Sequence, residues 1–89
     1  MNAIITVVGS DKVGIIARVS AFLAERAINI EDISQTILGG SFVMMMKVAT
    51  ADGGHDIQTV KDALTKLGEE LGVSISLMHE QVFSAMHRI

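Results

Sequence analysis

Apolar positions along the chain follow two rhythms in turn. Ala3–Val8 (AIITVV) is short, β-branched and continuous, which predicts a strand buried on both faces. Gly9-Ser10-Asp11-Lys12-Val13-Gly14 breaks it, and Asp11 is the candidate N-cap of a helix. Ile15, Ile16, Val19, Phe22 and Leu23 then recur at helical spacing, with Arg18, Glu25 and Arg26 off the stripe. This predicts a helix that stops near Ala27, with Asn29 as the turn residue before the next strand.

Ile30–Leu38 sets Ile33 and Ile37 on one face with Glu31 and Gln35, and Asp32, Ser34 and Thr36 on the other. It reads as a half-solvated edge strand. Gly39-Gly40 is a two-residue hairpin signal, and Ser41–Thr50 returns with an apolar centre on both faces. Ala51–His55 is a loop. Asp56 caps a second predicted helix with the stripe Ile57, Val60, Leu64, Leu67 and Leu71 and an i,i+4 pair, Asp62 and Lys66. Gly72 stands where a helix-terminating glycine belongs. Val73–Met78 alternates as a half-buried strand, and the tail Glu80–Ile89 carries Val82, Phe83, Met86 and Ile89 at helical spacing.

The order is βαββαβ with a terminal helix. Short hairpins and right-handed crossovers lead to an α+β, ferredoxin-like sandwich with a four-stranded antiparallel sheet. Residues 1–79 form the domain and residues 80–89 a helical extension. Strands one and three, the most apolar, belong at the centre, with both main helices on one face of the sheet.

Composition adds a tension. Hydrophobic residues make up 49% of 89 residues and mean hydropathy is +0.48. A domain this small has much surface and little interior, so part of that apolar content is expected to meet a partner, such as a second copy. The second sheet face, above strands one and three, is where the excess is expected, together with the tail. The charge of −3 argues against nucleic acid and an anionic membrane surface. The longest apolar run, Phe42–Met46, is too short to span a bilayer. The absence of cysteine excludes disulfides, thiolate metal sites and a thiol nucleophile. With no secretory h-region at the N-terminus, the expected location is cytoplasmic.

Catalytic motifs are incomplete. Gly9–Gly14 has the glycine spacing of a phosphate loop, but Ile15-Ile16 stand where lysine and a hydroxyl are needed. What survives is a glycine turn at a helix N-terminus, whose free amides attract carboxylate or phosphate. His79-Glu80 opens a zinc-protease motif that Phe83 fails to close. His79 with His87, and Asp52 with His55 and Asp56, read as solvated, turn or capping residues rather than metal ligands. No catalytic residue, metal or cofactor is called for.

The segments Val7–Ala17 (VVGSDKVGIIA) and Leu23–Ile30 (LAERAINI) carry a resemblance to the ACT domain, whose signature is an Asp-Arg/Lys-Pro-Gly turn followed by Gly-Ile-Asn-Ile. The short form resembles the UPF0237 family. It is also similar to ACT modules of the glycine-cleavage repressor and formyltetrahydrofolate deformylase. The resemblance implies a regulatory module that binds a small metabolite, often an amino acid, at a homodimer interface. Carried onto this chain, the implied ligand residues are Asp11, Lys12, Val13, Gly14, Ile15, Asn29 and Ile30. Val13 replaces the family's proline and Ala27 its glycine, and Gly9 has no side chain where some members place a polar contact. A partner enzyme or regulator is a further expectation.

Two other classes compete. One is a protein–protein interaction module that takes no ligand. The other is an acylphosphatase-like hydrolase, which needs an arginine where this turn has Lys12. An RNA-binding sheet wants stacking aromatics, and among the central strands only Phe42 is aromatic.

Overall fold

A computed structural model describes residues 2–10, 14–50 and 56–86. The elements run β1 (Asn2–Gly9), α1 (Ile15–Glu25), β2 (Asn29–Leu38), β3 (Ser41–Ala49), α2 (Ile57–Leu71), β4 (Ser74–His79) and α3 (Glu80–Met86). The strands form one antiparallel sheet in the order β2-β3-β1-β4, so the two most apolar strands are central, as their composition predicts.

Period-two alternation divides the sheet. Ala3, Ile5 and Val7 of β1 join Phe42, Met44, Met46 and Val48 of β3 on the face under the helices, and all are buried. Val19 and Leu23 of α1 and Val60 and Leu64 of α2 close that core. The other face carries Ile4, Thr6 and Val8 of β1, whose partners on β3 are Lys47, Met45 and Val43. α3 folds back onto this second face, against β1 and β4. Lys47 Nζ lies 3.3 Å from Glu80 Oε1. Among the described tail residues, Phe83 is half-buried on the sheet while Val82 is 51% exposed, so the predicted stripe packs only in part. Ile89 lies outside the described residues.

β2 departs from simple alternation. Ile30 pairs with Val48 and Asp32 with Lys47, leaving Glu31 as an extra residue in a bulge. Unbroken alternation puts Ile30 on the face of Asp32. The bulge returns it to the helix side with Ile33, Gln35 and Ile37, where it is the half-buried residue of an otherwise exposed strand. Three of the large apolar side chains left exposed among the described residues, Ile33 (38%), Ile37 (60%) and Leu38 (65%), belong to β2. The apolar excess therefore lies at this edge more than on strands one and three, with Ile33 and Ile37 exposed on the helix side and Leu38 on the opposite face.

The turns obey local chemistry. Gly39 and Gly40 both have positive φ, 54° and 84°, as a two-residue hairpin of the twist-matched type requires. Asp56 caps α2, its Oδ1 accepting from Gln58 N at 3.3 Å. Asp62 accepts from Gln58 Nε2 at 2.9 Å, so the expected Asp62–Lys66 pair gives way to a bond one turn back. Such exposed contacts contribute little either way. α1 ends at Glu25, before the expected Ala27. Ile28 N donates to Leu23 O at 2.9 Å and Ala27 N to Ala24 O at 3.1 Å, which closes the helix and forces Ala27 to φ 56°. Gly72 ends α2 in the same way, but without a side chain to strain.

The left-handed conformation disfavours an L-residue with a Cβ. Ala27→Gly is therefore expected to stabilise the fold by about 0.5–1 kcal/mol. Thermal denaturation checks this, with a melting temperature raised by a few degrees.

Candidate ligand site

Asp11, Lys12 and Val13 lie outside the described residues; Gly14, Ile15, Asn29 and Ile30 are described. The N-cap position of α1 is held by Gly14, at φ 77°, and no side chain caps the helix among the described residues. Arg18 N donates to Gly14 O at 3.0 Å and so closes the first turn. The left-handed glycine itself turns the chain into the helix, and the expected capping role of Asp11 falls outside the described residues. No acidic residue stands in the first turn. The first-turn amides have no intrahelical acceptor, which suits them to an anionic group.

The implied residues differ in what they can offer. Ile15 is 3% exposed and its side chain is core, so only its backbone faces the turn. Ile30 is half-buried and packs on the core. Asn29 is exposed at the start of β2, with a side chain that both donates and accepts. At Gly9 a Cβ would collide with Val73 Cγ1. The missing polar side chain at Gly9 thus has a steric cause that the sequence pattern does not reveal. No sequence motif marks Val73 for this role, since its signal is the contact itself.

Sheet register separates the two halves of the implied site. Asn29, Ala49 and Asn2 form one row across three strands, while Ile37, Phe42 and Gly9 form another at the far end. Over the eight residues of β1 this is a separation of roughly 23 Å. Gly9, from which the turn departs, and Asn29 therefore stand at opposite ends of the sheet within one chain.

An ACT-domain family profile matches residues 2–78. The chain belongs to the ACT domain family. It is 46% identical over 88 residues to a UPF0237 protein of Methanopyrus kandleri, covering 99% of this chain and 98% of that one. It is similar to the solved ACT domain protein from Streptococcus pneumoniae, with TM-score 0.85, 44% identity and 98% of each chain covered. A formyltetrahydrofolate deformylase from Pseudomonas syringae contains the same fold, with TM-score 0.74, 28% identity, and 86% of this chain matching 26% of that one. The regulatory subunit of aspartate kinase from Thermus flavus matches at TM-score 0.63 and 30% identity, over 88% of this chain and 51% of that one. ACT domains occur in regulatory parts of enzymes and repressors that bind amino acids or metabolites.

Elsewhere in this ACT domain, the residues weighed as metal ligands have structural roles where they are described. Asp56 caps α2, with Thr59 Oγ1 donating to its Oδ2 at 3.1 Å. His79 Nδ1 accepts from Gln81 N at 3.3 Å, at the start of α3. Asp52, His55 and His87 lie outside the described residues. Among the described residues no helix is long and apolar enough to cross a membrane.

The contact between Gly9 and Val73 yields a direct test. Gly9→Ala is expected to destabilise the fold by about 1–3 kcal/mol through overpacking. Adding Val73→Ala is expected to restore much of that loss. A double-mutant cycle by denaturant unfolding checks the coupling.

Proposed function

We propose that this ACT domain is a non-catalytic regulatory module that binds a small amino acid at an interface between two copies of the chain. The observation that carries the proposal is the register. The glycine turn and Asn29 stand at opposite ends of one sheet, so a site using both takes one from each copy.

The open edge of β2 supports a particular arrangement. Antiparallel pairing of β2 with a second β2, centred on Gln35, sets Ile33 against the second copy's Ile37 on the helix side. Ser34 then faces the second copy's Thr36 on the other side, and Asp32 faces Leu38. No like charges oppose one another, and the exposed isoleucines pair as cross-strand neighbours. The contact is isologous, as a two-fold dimer requires. It also carries the second copy's Asn29 to the end of the sheet where Gly9 and Gly14 stand. There the α1 amides suit a carboxylate, and Asn29 can address the ammonium or carboxylate of a zwitterion. A ligand-free interaction module is the second reading, favoured by Val8 and Leu38, which are exposed on the face away from the main helices.

Calorimetry against the twenty amino acids tests the ligand. One or more is expected to bind in the millimolar range or tighter, and Asn29→Ala is expected to weaken it by about tenfold or more. Silence from all twenty would favour the interaction module. Light scattering tests the assembly: Ile37→Lys, at a 60% exposed position, is expected to halve the mass in solution without unfolding the chain. An unchanged mass would remove β2 from the interface.

A further inference from the structure

A cleft of about 260 Å³ lies between α3 and the sheet face away from the main helices. Ile4 and Met45 contribute apolar lining from the sheet, and Phe83 contributes it from α3. Asp32, Ser34 and Lys47 supply the polar groups. Its volume falls just below the roughly 300–1,000 Å³ of pockets for drug-sized ligands, so it suits a small occupant.

The lining carries one charge of each sign, Asp32 and Lys47, but the two do not pair. Asp32 and Lys47 are register partners on adjacent strands, where opposite charges ordinarily pair. Lys47 instead reaches Glu80, at 3.3 Å. Among the described residues no cation lies within 4.0 Å of Asp32. Asp32 Oδ1 accepts from Ile33 N at 2.9 Å, beside the Glu31 bulge, which orients the carboxylate and leaves Oδ2 open. Among the described residues, the cleft therefore has one oriented carboxylate with no cation within 4.0 Å, because Lys47 in the same lining is engaged by Glu80, together with a neighbouring hydroxyl and an apolar lining.

We propose that this cleft binds a small organic monoamine. Its ammonium would sit on Asp32 Oδ2 and Ser34 Oγ, and its hydrocarbon body against Ile4, Met45 and Phe83. An α-amino acid fits less well, since its carboxylate would have to displace Glu80 from Lys47 or lie near Asp32. The lining comes from one chain and includes neither Gly9, Gly14 nor Asn29.

Titration of the full chain with isoamylamine, followed by calorimetry, is the test. Leucine, which has the same hydrocarbon body with a carboxylate added, is the second arm. Isoamylamine is expected to bind in the millimolar range and more tightly than leucine. Asp32→Asn keeps an oxygen for Ile33 N–H but removes the charge, and it is expected to weaken the amine by about tenfold or more. Phe83→Ala is expected to weaken it several-fold. No binding of the amine, or binding that ignores Asp32→Asn in a chain whose circular dichroism is native, would overturn the proposal. Leucine binding as tightly as the amine with the same dependence on Asp32 would overturn the ligand class.

Discussion

The pairing of β1 with β3 at the centre of the sheet is the constraint on which the rest of the fold depends. Their register runs without a break from Asn2 opposite Ala49 to Gly9 opposite Phe42. Because side chains alternate along both strands, this one register sends one set of apolar residues under α1 and α2 and the other set to the opposite face. A slip by one residue would turn Met44 and Met46 out of the core and bring Lys47 into it. β4 and β2 then attach to the outer sides of this pair, and α3 reaches the second face directly from the end of β4.

Close backbone approach is the companion requirement. Gly68 is buried on α2, where a Cβ would meet Val73 O at 2.7 Å, and Val73 N donates to Gly68 O at 2.9 Å. Val73 also fills the space beside Gly9. One residue at the entrance to β4 therefore ties α2 to the end of β1, next to the turn that opens α1. Val73 thus links α2, through its backbone, to Gly9 at the end of β1, through its side chain. Electrostatics adds less: the Arg18–Glu70 pair between α1 and α2 spans 3.2 Å, but both side chains are more than half exposed, so its contribution to stability is small.

Much of the architecture was legible from residue pattern. The β-branched run of β1, the stripes of α1 and α2, the Gly39-Gly40 turn and the Asp56 cap each arise from interactions within a few residues. The bulge at Glu31 was not legible, because it answers to partners on β3 rather than to β2's own alternation. The bond from Asp62 to Gln58 escaped because two polar neighbours competed for one carboxylate, and spacing does not rank them. Of the candidate site, the glycine turn and Asn29 could be named from the chain, but their separation along the sheet could not. Motif distance in sequence says nothing about which end of a strand a residue occupies until the strands are paired.

The amino-acid sequence by itself determined the kinds of element, their order and the faces of each that prefer burial, since these rest on periodicity and local hydrogen bonding. It also determined that more apolar surface exists than one small domain hides comfortably. Tertiary structure alone decided where that surplus lies: at β2 rather than chiefly on the central strands. It alone placed Ala27 in a left-handed conformation, left Asp32 without its register partner's charge, and put the two halves of the implied site at opposite ends. Apart from Ala27, which is set by the bonds that close α1, those outcomes depend on contacts between residues far apart in the chain, which exist only once the strands have paired.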